Sequence, residues 1–133
     1  GNPESVVDFE ADRAQIKAVL AEQQSDWNAA DLQGFMKYYW SSDELQFVST
    51  DTLRGWSTLK ERYDKAYAND GQMGKLQFEV FNIDFLGESH AKLVGSYLVT
   101  ESASGSRGFF TLLFRRFPDG WKIIHDHTSR ADS

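Results

Sequence analysis

The chain has 133 residues, 41% of them hydrophobic, and a formal net charge of −6, which suits one domain burying roughly two-thirds of its unfolded surface. It contains no cysteine, which excludes a disulfide scaffold, a thiolate nucleophile and any sulfur-ligated metal. Basic residues are scattered, with only Arg115 and Arg116 adjacent, so there is no electrostatic footprint for nucleic acid, and no apolar run approaches the roughly 18–20 residues of a membrane span.

The chain begins Gly1-Asn2-Pro3. Residues 1–4 therefore read as disordered or as a scar left by a removed segment, a signal peptide being one candidate. A soluble protein is expected, either cytoplasmic or exported. Phe9, Ile16, Val19, Leu20 and Trp27 share one face of a helix expected over about 5–29, with polar residues between them. Asp31 is the expected N-cap of a short second helix carrying Leu32, Phe35, Met36 and Tyr39 at i, i+3, i+4, i+7. A short strand, Leu45 to Ser49, follows. Trp56, Leu59, Tyr63, Ala66 and Tyr67 mark a third helix, stopped by Asn69-Asp70-Gly71.

The second half changes period. Segments 76–86, 90–101, 107–117 and 121–129 are rich in β-branched and aromatic residues and are separated by turn signals. Gly87-Glu88 and the Ser/Gly stretch 102–106 suit hairpin connections, and Pro118-Asp119-Gly120 suits a tight turn. The apolar set Leu76, Phe78, Val80 changes register to Phe81, Ile83, Phe85. Such a flip implies a β-bulge or a strand that buries opposite faces in its two halves, and both belong to a strongly bent sheet. Helices followed by a curved antiparallel meander predict a single α+β domain, with the helices on one sheet face and a cavity at the wide end.

Certain motifs add a family likeness. Trp27-Asn28-Ala29-Ala30-Asp31-Leu32 leading into Phe35-Met36-Lys37-Tyr38-Tyr39, Arg54-Gly55-Trp56, and the ending Asp119-Gly120-Trp121 through His125-Asp126-His127-Thr128-Ser129 resemble the NTF2-like superfamily, in particular its SnoaL-like and DUF4440 branch. The ending is also similar to the association domain of calcium/calmodulin-dependent protein kinases. The resemblance covers about residues 10–130 and implies a cone-shaped α+β barrel, usually a homodimer packed through the sheet. It does not choose among isomerases, cyclases, dehydratases, oligomerisation hubs and binding proteins. The ketosteroid isomerases of this fold place a Tyr where this chain has about Gln23, and a base near Ser49, with Asp51 just beyond. Segment 108–117 holds no carboxylate, so that isomerase mechanism is not expected.

Candidate site residues follow. On a strand His125 and His127 share one face and Asp126 takes the other; two imidazoles lining a cavity would suit acid–base work. The competing reading is a strand end or an interface. By the resemblance His127 is favoured for the pocket. A metal held by the His-x-His pair would need a third ligand, and the only other histidine is His90; no metal or cofactor is expected. Arg54 is either a carboxylate clamp or a surface arginine beside Asp51. Of Arg115 and Arg116 at most one could enter the cavity. Trp27, Tyr39, Trp40, Phe47, Trp56 and Tyr63 form a possible aromatic wall, with Tyr39, Trp56 and Tyr63 favoured because they carry polar handles. Asp51 is the one acid near the expected base position, unless it is a plain turn residue. The expectation is a homodimer binding a small organic ligand, with acid–base chemistry on a carbonyl or ring compound through His127 and Asp51. The alternative is a non-catalytic association or ligand-sensing module.

Overall fold

A computed structural model describes residues 8–68, 73–102 and 105–131. Helix α1 spans Glu10–Asn28 and buries Ile16, Val19, Leu20, Gln23 and Trp27 along one face, the spacing that a 3.6-residue period brings together. Helix α2, Leu32–Met36, is capped as expected, with the Asp31 side chain accepting from the Gly34 N–H at 2.9 Å. It stops before Tyr39. The chain there instead joins the sheet edge-on, Trp40 N–H donating to the Ile123 carbonyl and Ile123 N–H to the Tyr38 carbonyl. Short strands β1 (Gln46–Val48) and β2 (Thr52–Arg54) form a hairpin. Only the first was anticipated, because three residues of β2 are too few to show alternation. Helix α3 covers Trp56–Ala66. The expected stop at Asn69-Asp70-Gly71, residues 1–4, and part of the 102–106 connection lie outside the described residues.

Four long strands complete the chain: β3 (Lys75–Phe85), β4 (His90–Thr100), β5 (Ser106–Phe117) and β6 (Gly120–Arg130). The sheet order is β2-β1-β6-β5-β4-β3, antiparallel throughout except where β1 runs parallel to β6. The two edges, β2 and β3, do not meet, so the sheet is curled but not closed. Among the described residues no helix is long and apolar enough to cross a membrane.

Two bulges bend the meander. In β3 the register slips at Phe81, between Val80 paired with Gly95 and Asn82 paired with Val94. This is the point where the apolar pattern changes phase. In β6 the extra residue is Ile124, since Leu113 pairs with His125 while the next residue, Phe114, pairs with Ile123. An extra residue raises local twist and exchanges the two faces of everything beyond it.

The concave face receives the helices. Ile16, Met36, Leu45, Leu59, Leu93, Phe114 and Ile123 are almost wholly buried there. Side chains of α1 then fasten the helix to edge strand β3: Asn28 Nδ2 donates to the Leu76 carbonyl (3.0 Å), its Oδ1 accepts from the Leu76 N–H (2.6 Å), and Gln24 Oε1 accepts from the Phe78 N–H (2.8 Å). These bonds satisfy edge groups that would otherwise be a free template for another strand. At the narrow end Asp12 accepts from Arg116 and from Trp121 Nε1, closing the cone.

Candidate functional site

Toward the wide end the concave side is hollow. A cavity of about 310 Å³ lies between α1, α2 and α3 on one side and the inner face of β3–β6 on the other. Its wall is largely aromatic: Trp27, Phe35, Tyr39, Phe47, Tyr63, Tyr67, Phe78, Tyr97 and Phe110 all contribute. Several of these rings brace one another edge-on, among them Trp27 against Phe35 (5.1 Å) and Phe35 against Tyr63 (5.7 Å), the favoured geometry for quadrupolar rings. The rim is more polar, with Ser102, Ser106 and Arg130.

Among the described residues, this apolar wall holds one carboxylate, that of Asp126, on β6 and only 4% exposed. Tyr39 Oη donates to its Oδ2 at 2.7 Å and Thr128 Oγ1 to its Oδ1 at 2.6 Å. Burial pushes the Asp126 carboxyl above its usual range. The hydrogen bonds from Thr128 and Tyr39, and the flanking His125 and His127, oppose that rise only in part. Burial also pushes the Tyr39 hydroxyl well above its ordinary value, and the Asp126 charge adds to the effect. Tyr63 is driven up for the same two reasons, burial first. Among the described residues the Tyr63 hydroxyl has no hydrogen-bond partner, whereas Tyr39 is committed to Asp126.

The structure rearranges the expected site. Tyr39, Tyr63 and Phe47 do line the cavity. His125 and His127 do not; His127 is exposed and His125 half-buried on the convex face. Without the bulge, inward-facing Trp121 and Ile123 would be followed inward by His125 and His127. With Ile124 inserted, Asp126 and Thr128 turn inward instead. Asp51 lies in the β1–β2 turn, exposed, and its carboxylate takes a two-pronged ion pair from Arg62 (2.9 and 2.8 Å). That bond holds Asp51 below the usual carboxylate range, the opposite of what a base near neutrality needs. Arg54 is exposed on edge strand β2 and is not part of the cavity lining; the partner of Asp51 is Arg62. Trp56 spends its indole N–H on the Met36 carbonyl (2.9 Å), fixing α3 to α2 outside the cavity wall.

Trp27, expected as plain core, is buried and also lines the cavity, with Nε1 donating to the Met73 carbonyl. Trp40 stacks on Phe117, Arg115 lies over the Phe117 ring and Arg116 pairs with Asp12; none of these reaches the cavity. Asp126, Thr128, Arg130 and Gln23 are among the lining residues that the sequence does not single out as site residues. The signal for Asp126 was present: Ile123-Ile124 is a pair of adjacent apolar residues inside an alternating strand, the same mark that Val80-Phe81 makes in β3. Among the described residues no group of three or more His, Asp or Glu side chains is placed to hold a metal ion.

A helix-backed, curled six-stranded sheet around one aromatic cavity defines the cone-shaped α+β class. The SnoaL-like domain family matches residues 16–133, and the chain belongs to that family, within the NTF2-like superfamily. It is similar to an NTF-2 like protein of unknown function from Shewanella oneidensis MR-1, at 30% identity over 89% of this chain and 98% of that one, with a TM-score of 0.85. A ketosteroid isomerase-like protein from Erwinia carotovora atroseptica SCRI1043 shares the fold at 17% identity (94% of this chain, 100% of the other, TM-score 0.76). So does a cystatin-like-fold protein from Nostoc punctiforme PCC 73102, also at 17% identity (95% and 81%, TM-score 0.77). No curated protein matches the chain.

Proposed function

We propose that the chain binds a small carbonyl-bearing ring compound in its aromatic cavity and acts on it by acid–base chemistry, with Asp126 as the proton acceptor. The observation that carries this reading is a carboxylate buried in an aromatic pocket, held by two hydroxyl donors and pushed above its usual range by burial. Ionised Asp126 removes a proton from the carbon beside the carbonyl. The electron pair moves onto the carbonyl oxygen, where the uncommitted Tyr63 hydroxyl is available as donor. Asp126, now protonated, returns the proton to the same or a neighbouring carbon. Tyr39 and Thr128 keep the carboxylate oriented through both steps.

The test is deuterium exchange of the acidic α-protons of 2-tetralone in D2O, followed by NMR. The protein should raise the rate above buffer, and Asp126→Asn should remove about 100-fold or more of that increment. Exchange no faster than buffer would refute the enzymatic reading and leave a ligand-sensing module.

A second element of the proposal is a homodimer packed through the convex sheet face. Phe81, Leu98 and Phe109 are exposed there by 49%, 40% and 51% on three adjacent strands, Phe81 and Phe109 with ring centroids 6.2 Å apart. Large apolar side chains clustered on one face support an interface.

A further inference from the structure

Gln23 is 2% exposed, sits on α1 and forms part of the cavity wall. Its Nε2 donates to the Phe35 carbonyl at 3.2 Å. A carbonyl oxygen can only accept, so this contact fixes which branch of the amide points at α2 and turns Oε1 away from it. No described residue donates to Oε1. Yet among the described residues no buried side-chain oxygen lacks a partner, so Oε1 must touch open space. For a side chain this deeply enclosed, that space is the cavity.

A buried acceptor facing a mostly apolar hollow is costly unless something donates to it. We infer that Gln23 is a specificity residue whose Oε1 accepts a hydrogen bond from a hydroxyl or N–H on the ligand. The substrate class is therefore a hydroxylated or amino-bearing ring ketone. The inference rests on the proposed function above and narrows it. A tyrosine at this place would offer a hydroxyl able to donate to a ligand oxygen. The amide spends one of its two N–H groups on Phe35, and its Oε1 can only accept. The site thus selects for a donor on the ligand, and analogues that lack one leave Oε1 stranded.

The experiment measures calorimetric dissociation constants of the full chain for 6-hydroxy-2-tetralone, 6-methoxy-2-tetralone and 2-tetralone, in wild type, Gln23→Met and Gln23→Leu. One good hydrogen bond to a buried acceptor predicts a preference of about tenfold or more for the hydroxy compound in wild type. Methionine keeps the length of the side chain without an acceptor, so Gln23→Met should bring the preference to within about twofold. The ratio between probes is the readout, because any loosening of α2 from the lost Phe35 bond affects all three compounds alike; the leucine variant serves if the methionine variant folds poorly. A wild type that binds the three compounds equally, or a Gln23→Met protein that keeps the preference, overturns the inference. If 2-tetralone exchange still depends on Asp126 in that case, the proposed function survives without it. Failure of every probe to bind, together with no exchange, overturns both.

Discussion

Replacing Tyr39 with Phe removes a single oxygen from a fully enclosed ring and leaves the packing shape intact. The lost group is the donor that reaches Asp126 Oδ2 at 2.7 Å. When Asp126 is protonated, the substitution removes an ordinary hydrogen bond, worth about 0.5–1.5 kcal/mol; when it is ionised, the loss is a bond to a charged group, about 1.5–3 kcal/mol. The sign of the pH dependence follows from burial. Asp126 has a folded value above its unfolded one, so its contribution to stability is full below the unfolded carboxylate range and is lost as pH rises through the folded value. Tyr39→Phe removes a bond that favours the ionised form, so it raises the folded value further and deepens that loss. The stability gap between wild type and variant should therefore be smallest in acid and widen with rising pH toward the upper estimate. Urea unfolding at a series of pH values measures it directly. A gap that does not change with pH, or that narrows as pH rises, would refute the account of Asp126 as a carboxylate raised by burial and held by Tyr39.

Three further outcomes are expected. Asn28→Ala strips both edge bonds from Leu76 and should cost about 2–4 kcal/mol in denaturant unfolding, with hydrogen exchange rising first along β3. Gly108 lies where an added Cβ would meet the Ser129 carbonyl and come within 2.8 Å of the Tyr97 ring. Gly108→Ala should therefore destabilise by about 1–3 kcal/mol, read from the thermal midpoint, and shift the Tyr97 side of the cavity. On the convex face, light scattering should give a dimer mass for wild type and a monomer for Phe109→Glu, with unchanged circular dichroism; a monomeric wild type defeats the interface proposal.

The architecture was legible because most of its instructions are local. The α1 stripe from Ile16 to Trp27, the Asp31 cap, and the turn at Pro118-Asp119-Gly120 each specify a conformation within one or two turns of chain. Even the bend in β3 announced itself, since Val80-Phe81 breaks an otherwise regular alternation. What failed to show was decided by pairing across the sheet. Strand β2 exists because Gln46, Phe47 and Val48 offer it a partner, and three residues have no period of their own. Tyr39 leaves the helical pattern because Ile123 of β6 supplies backbone bonds to its neighbours Tyr38 and Trp40. The histidines drew attention by their chemistry, and the family likeness favoured His127 for the pocket, but neither consideration specifies which face of a strand looks inward.

That question turns on one residue. Ile124 is left without a partner in β5, and everything after it reverses orientation. The reversal exchanges two imidazoles for one carboxylate in the cavity. The exchange is not energetically neutral, because a buried carboxylate needs donors to remain. They are supplied at the spacing the reversal creates. Thr128, two residues further along the same strand, arrives on the same face and donates to Oδ1, while Tyr39, anchored beside Ile123 just before the bulge, donates to Oδ2. The bulge that bends the sheet thus also aims the carboxylate and brings its two donors to it. The curvature that opens the cavity and the chemistry placed inside it have a common cause in the pairing of β5 with β6.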